Sequence, residues 1–230
     1  MNNIIAIFKK QIKDTLKNKT VLIQFVMFPI LTIIMNNLVR IEGMPKNFFI
    51  SMFASMYVGM APLTSISAVI AEEKEQNTLR VLLMSNVKPH EYLLGVGSYI
   101  WLACMLGAAV MCAAGSFSPR EGLAFIGIMA AGIIASLLLG AAIGTRSKNQ
   151  MMAASVSVPV MMVFSFLPML AMFNTGIAKL AKFTYSQQVV LMLEQMDSRN
   201  LKPDSVAIMG ANILLFAALF LLSYKKCGLD

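Results

Sequence analysis

Ionisable side chains are scarce in this chain. Of its 230 residues, 13% are charged, about half the share of an ordinary soluble domain, near 25%. That shortage excludes a globule covered with polar surface. Six windows, 20–39, 47–71, 92–119, 122–145, 149–178 and 205–224, hold no Asp, Glu, Lys, Arg or His. Each is long enough for a helix that crosses a bilayer, which needs about 20 predominantly apolar residues. The 19 basic and 11 acidic residues and the single histidine, His90, all lie between these windows.

Other absences remove whole classes of chemistry. Three cysteines, two of them (Cys104 and Cys112) in one apolar window and Cys227 in the tail, make no disulfide framework, and no histidine or acid joins them as a metal site. No GxxxxGK[ST] loop occurs to cradle nucleotide phosphates, and Gly95-Val-Gly97 is too short to replace it. With its one histidine in a loop, the chain lacks the parts of a serine–histidine hydrolase. No catalytic residue and no cofactor are expected in it. No acid lies in any window, and intramembrane acids are what proton coupling usually requires. Sodium coupling through broken helices near Pro159 and Pro168 stays open. The net charge of +8 fits basic residues held at the cytoplasmic face better than a nucleic-acid partner.

What is present reads as an all-α polytopic membrane protein, one transmembrane domain over residues 1–230. Six spans are expected near Val21–Val39, Phe48–Ala71, Tyr92–Phe117, Gly122–Gly144, Met151–Phe173 and Val206–Tyr224. The first follows a basic stretch, lacks a small-residue cleavage site and belongs to a series, so it is read as a retained span rather than a signal peptide. Six crossings place both termini on one side. The basic residues favour the cytoplasm for them, the margin coming from Lys9, Lys10, Lys13, Lys17 and Lys19.

Residues 1–19 carry a stripe. At about 100° per residue, Ile4, Ile5, Phe8, Ile12 and Leu16 share an arc of about 120°, with Lys9, Lys10, Lys13 and Lys17 facing the other way. Such a helix lies along the inner leaflet, apolar side in the acyl chains and ammonium groups near anionic headgroups. Pro29, Pro62, Pro159 and Pro168 each remove a helical hydrogen bond, so kinks or breaks are expected there. Gly132, Ser136, Gly140 and Gly144 recur every fourth residue, a small-residue stripe against which another helix backbone packs closely. The stripe does not say whether that helix belongs to this chain or to a second subunit. Gln24, Thr32, Asn36 and Asn37 in the first span either line a cavity or satisfy one another within the bundle. Residues 174–204 read as two short helices, too apolar for free solution and too short to span. They either re-enter the membrane, cap its outer mouth or lie in the interface.

The loop after the second span runs Glu72-Glu-Lys-Glu-Gln-Asn-Thr-Leu-Arg-Val-Leu-Leu-Met-Ser-Asn-Val-Lys-Pro-His-Glu-Tyr-Leu-Leu-Gly95. Its acids suit a helix amino terminus. Leu79, Leu82 and Leu83 form an apolar stripe that needs either lipid headgroups or a groove on a soluble partner. This segment resembles the permease subunits of ABC-2-type exporters, whose loop runs approximately E-[RK]-E-x-G-T-L-x-x-L-L-x-x-P-[VL]-x-x-x-E-x-x-x-G-K. The chain matches at Glu73, Lys74, Glu75, Thr78, Leu79, Leu82, Leu83, Val87, Glu91 and Gly95. It departs with Asn77 for the glycine, Asn86 for the proline and Val96 for the lysine, which puts the turn geometry in question.

The resemblance implies a division of labour. Residues 1–19 would be an elbow helix on the inner leaflet, and 72–91 a coupling loop docking on a separate ATP-binding subunit. Thr78, Leu79, Leu82 and Leu83 would form the docking surface, and Glu73 and Glu75 would fasten the loop to neighbouring cytoplasmic ends or to the partner. Thr145 to Gln150 would add a smaller contact, and helices within 174–204 an extracellular gate. Two permeases, identical or paralogous, would pair with two ATP-binding subunits that hold ATP and Mg, and export a small amphipathic or hydrophobic compound, drug or peptide across the cell membrane. Two other classes compete: a self-sufficient transporter or channel, and a non-transporting membrane immunity or assembly factor.

Overall fold

The computed structural model describes residues 2–17, 19–39, 47–78, 87–196 and 202–226. Among these the chain forms nine helices and no strand: α1 (Asn2–Lys17), α2 (Lys19–Leu38), α3 (Phe48–Glu75), α4 (Pro89–Ala113), α5 (Pro119–Arg146), α6 (Gln150–Phe173), α7 (Thr175–Ala181), α8 (Tyr185–Glu194) and α9 (Pro203–Lys226). Within α3, α4, α5, α6 and α9 lie stretches long and apolar enough to cross a membrane; the apolar part of α2, Leu22–Leu38, is shorter.

Local chemistry sets the helix starts. Proline opens α4 and α5, where its missing N–H costs nothing. Ser118 and Glu121 close a reciprocal capping box at α5: the Ser118 N–H donates to Glu121 Oε2 at 2.7 Å, and the Glu121 N–H donates to Ser118 Oγ at 3.4 Å. Asn149 Oδ1 accepts the Met152 N–H at 2.8 Å to start α6, and Asn174 Oδ1 accepts from Gly176 and Ile177 to start α7. Pro29, Pro62, Pro159 and Pro168 do not break their helices, which continue on either side. A bilayer offers a freed carbonyl no water, so the helix around a proline is kept wherever neighbours can approach. At Gly107 of α4 an added Cβ would lie 3.3 Å from the Phe25 carbonyl oxygen, the acceptor that Pro29 leaves without its helical donor.

The helix α3 is the hub. Of its most apolar stretch 83% is buried, against 17% for α6 and 22% for α9. It packs on α2, α4, α5, α6 and α8. The small-residue stripe of α5 meets this hub and α8 of the same chain. A Cβ at Gly132 would lie 2.9 Å from Val58 and from Val189, one at Gly140 would strike the Leu63 backbone, and one at Gly144 would lie 3.0 Å from Ser67. Ser136, fully buried, receives a hydrogen bond from Tyr185 at 3.3 Å. These contacts run in the same direction along α3 and α5. The Tyr57 hydroxyl donating to the Cys104 carbonyl, and Ile50 beside Gly115, show α4 running the opposite way. The outer sides of α4, α6 and α9 expose Leu106, Phe173 and Leu214, an apolar surface suited to acyl chains.

The polar residues of α2 are satisfied inside the chain. Gln24 Oε1 accepts from Thr64 and Ser65, each at 3.1 Å. Thr32 donates to the Phe28 carbonyl, Asn36 to the Ala114 carbonyl and Asn37 to the Ile33 carbonyl.

Candidate functional site

At the carboxyl end of the hub, three consecutive residues each fasten a different element. Glu73, 5% exposed, accepts through Oε1 from Lys10 Nζ at 2.8 Å and from Gln11 Nε2 at 2.9 Å, which ties α3 to α1. Lys74 Nζ donates to the Thr145 carbonyl at 2.5 Å, which ties it to the end of α5. Glu75 accepts the Gln150 N–H at 2.9 Å, which ties it to the start of α6. A fourth link closes the ring between α1 and α4, where Asn3 Nδ2 donates to Glu91 Oε2 at 3.0 Å. Beneath it Ile7 sits on Gly95 so closely that a Cβ there would lie 2.9 Å from the isoleucine. The buried Tyr92 hydroxyl of α4 faces the Glu73 carboxylate, whose Oε2 receives no donor from α1.

The chain leaves this ring through a left-handed residue. Gln76 caps α3, and Asn77 follows with φ 55, a conformation that asparagine tolerates better than other side-chain-bearing residues. Thr78 Oγ1 then donates to the Glu73 carbonyl at 3.1 Å and folds the chain back on the helix end. Leu79, Leu82 and Leu83 lie outside the described residues. So does the side chain of Leu16.

The apolar arc of α1 divides its work. Ile7, Gln11 and Thr15 are buried against the bundle. Ile4 is half-buried, and Phe8 packs edge-on to Tyr99 with ring centroids 5.6 Å apart. Ile5 and Ile12 remain exposed. Sequence periodicity does not separate the two sides, because Gln11 and Thr15 face inward to meet polar partners or close packing rather than by hydrophobicity.

Residues 174–196 form a V-shaped hairpin rather than a flat cap. From the end of α6, α7 descends along that helix, the chain turns at 182–184, and α8 climbs back. Tyr185, fully buried, packs on Phe164 of α6 with centroids 4.8 Å apart and on Phe216 of α9 at 5.8 Å. Its partner Ser136 lies ten residues from the end of α5 at Arg146, about 15 Å along a helix and half of a roughly 30 Å hydrocarbon core. The turn therefore lies level with the middle of α5 rather than at the helix ends, and free carbonyls among apolar helices are costly. Gln188 Nε2 donates to the Lys182 carbonyl and Asn212 Nδ2 to the Phe183 carbonyl at 2.9 Å.

Lys182 stands at the turn of this hairpin. Hydropathy windows assume a chain that passes straight through, and a hairpin folded in among the helices carries loop residues inward.

Against known families, the model described as ABC-2 family transporter protein matches residues 1–225. The chain belongs to the ABC-2 family. No curated protein matches it. An ABC-2 chain is a multi-pass membrane subunit of an ABC transporter, and membership implies pairing with an ABC ATP-binding subunit. In this ABC-2 subunit Glu73, Glu75 and Thr78 come together at one end of the hub. The residues that the sequence does not single out are Gln11 opposite Glu73, Asn3 opposite Glu91, and Asn212 and Gln188 at the hairpin turn. Each is a polar residue inside an apolar or amphipathic stretch, the one signal that would have pointed to it.

Proposed function

We propose that this ABC-2 subunit is the permease of an ATP-driven exporter, with the ring around Glu73, Lys74 and Glu75 as the platform that receives work from the ATP-binding subunit. The observation that carries this reading is the fastening of α1, α5 and α6 to three consecutive residues at the end of the most buried helix. Any displacement of the segment after Asn77 then acts on the hub and on three neighbours at once, as a lever needs.

In this reading α2 is the sixth span, both termini are cytoplasmic and the α1 face is the inner face of the cell membrane. The helix α1 is the elbow, its exposed Ile5 and Ile12 in the inner leaflet. The segment 72–91 is the coupling loop, and Thr78, Leu79, Leu82 and Leu83 dock in a groove of the partner. The α7–α8 hairpin is the outer gate. Two permeases and two ATP-binding subunits form the working unit, with ATP and Mg held by the partner. ATP binding draws the two partner subunits together, the coupling helices push on the platforms, and the cavity between permeases opens outward to release a small amphipathic compound.

The double substitution Leu82→Asp with Leu83→Asp tests it. ATP-dependent export from cells should be lost, and the ATP-binding subunit should no longer co-purify, while the amount of permease in the membrane is unchanged. Full export by that variant would refute the docking role.

A further inference from the structure

We propose that Lys182, at the tip of the α7–α8 hairpin, is an anion-binding site for the headgroup of an amphipathic molecule that enters the path between permeases; the assignment rests on the exporter reading given above. The tip sits level with the middle of α5, and three independent contacts set that depth: Tyr185 on Ser136, Tyr185 on Phe164 and Phe216, and Asn212 on the Phe183 carbonyl. Asn212 lies nine residues into α9 from Pro203, about 14 Å along the helix. A lysine stem does not reach the membrane surface from there.

Lys182 is exposed, and it makes no ion pair among the described residues. A charge at that depth facing lipid is costly, so intramembrane lysines ordinarily face partners or water-filled cavities. Among the described residues no carboxylate comes within ion-pair reach of Lys182, and the hairpin's own acid, Glu194, is nine residues beyond Tyr185 at the far end of α8. What remains is water together with an anion supplied from outside the chain.

The surroundings describe the rest of the ligand. Leu180 and Phe183 flank Lys182 and are 72% and 68% exposed, an apolar pair for a tail beside a cation for a head. The turn itself is rigid, held by Gln188 and Asn212 through its carbonyls. A carboxylate, sulfonate or phosphate on an apolar tail meets the ammonium group with its head and Leu180 and Phe183 with its tail, whereas a neutral or cationic amphipath leaves the lysine charge without a counter-charge.

The experiment needs no nucleotide or partner subunit. Purified protein in phosphatidylcholine nanodiscs is titrated with 11-(dansylamino)undecanoate and, separately, with its uncharged methyl ester. The acid should bind about tenfold more tightly than the ester, a difference near 1.4 kcal/mol, and Lys182→Gln should erase that preference while Lys182→Arg keeps it. An unchanged preference in Lys182→Gln overturns the site. Loss of preference in Lys182→Arg as well overturns a charge-based role. Adding phosphatidylglycerol to the discs separates two sources of the same headgroup chemistry: displacement of the probe assigns the site to an anionic bilayer lipid, and no displacement assigns it to a free amphipath. In a background with Cys104, Cys112 and Cys227 replaced by alanine, Lys182→Cys should react with sulfonatoethyl methanethiosulfonate faster than Leu214→Cys on the outer side of α9. Equally slow reaction of the two places the side chain in lipid and overturns the proposal. Failure here leaves the coupling of Leu82 and Leu83 standing, and failure there leaves the binding and labelling results interpretable.

Discussion

Asn77 stands where the family pattern has glycine, and its φ of 55 explains how the departure is absorbed. A left-handed residue must end α3 so that Thr78 can turn back onto the Glu73 carbonyl. Asparagine pays a modest steric cost there, and a β-branched residue a larger one. Asn77→Gly should therefore leave thermal stability within about 0.5 kcal/mol, whereas Asn77→Val should lower it by roughly 1–2 kcal/mol. The melting temperature of each purified variant in detergent reads the difference. Equal melting of Asn77→Val and the parent would refute the argument. Asn47, which opens α3 with φ 61, shows the same use of asparagine at the opposite end.

At the scale of elements, the hairpin stands or falls on how its turn is satisfied. In water, residues 182–184 would hydrate their own carbonyls; among apolar helices they depend on Gln188 and Asn212. Asn212 is 9% exposed and also donates to the Ile208 carbonyl, so one side chain serves both its own helix and the turn. Asn212→Leu keeps the bulk and removes the donor. It should cost roughly 1–3 kcal/mol by stranding the Phe183 carbonyl, and it should raise protease cleavage after Lys179 and Lys182 in the folded protein. Unchanged cleavage and stability would show that the turn does not need this bond. The helix α1 illustrates the opposite balance: its register on α4 is set by Ile7 against Gly95 and by Asn3 on Glu91, while Ile5 and Ile12 stay free for lipid.

For the whole molecule, the arrangement gives α3 contact with α1, α2, α4, α5, α6 and α8 and concentrates the end links on residues 73–75. Removing one link should uncouple without unfolding. Glu73→Ala leaves the Lys10 and Gln11 donors without their acceptor, an expected loss of roughly 1–3 kcal/mol. It should lower export per ATP hydrolysed while the ATP-binding subunit still co-purifies. Normal export with normal stability would show that α1 is not part of the lever.

Much of this was legible in the residue order, and for a physical reason. Charge is so costly in hydrocarbon that its absence over whole windows marks membrane helices before any packing is known. The loop from Glu72 to Gly95 carries enough of a family pattern to be recognised by residue type alone. Depth and partner are another matter. A hairpin folded in among the spans and one lying flat over their ends have the same composition; only the packing of Tyr185 on Ser136 and Phe164 tells them apart. That Glu73 meets Lys10 across 63 positions, that the small-residue face of α5 receives α3, and that the turn at Lys182 is carried in beside Asn212 are all products of tertiary packing. Hydropathy is a property of the local sequence, whereas the position of a side chain across the membrane is set by whatever distant helix it packs against.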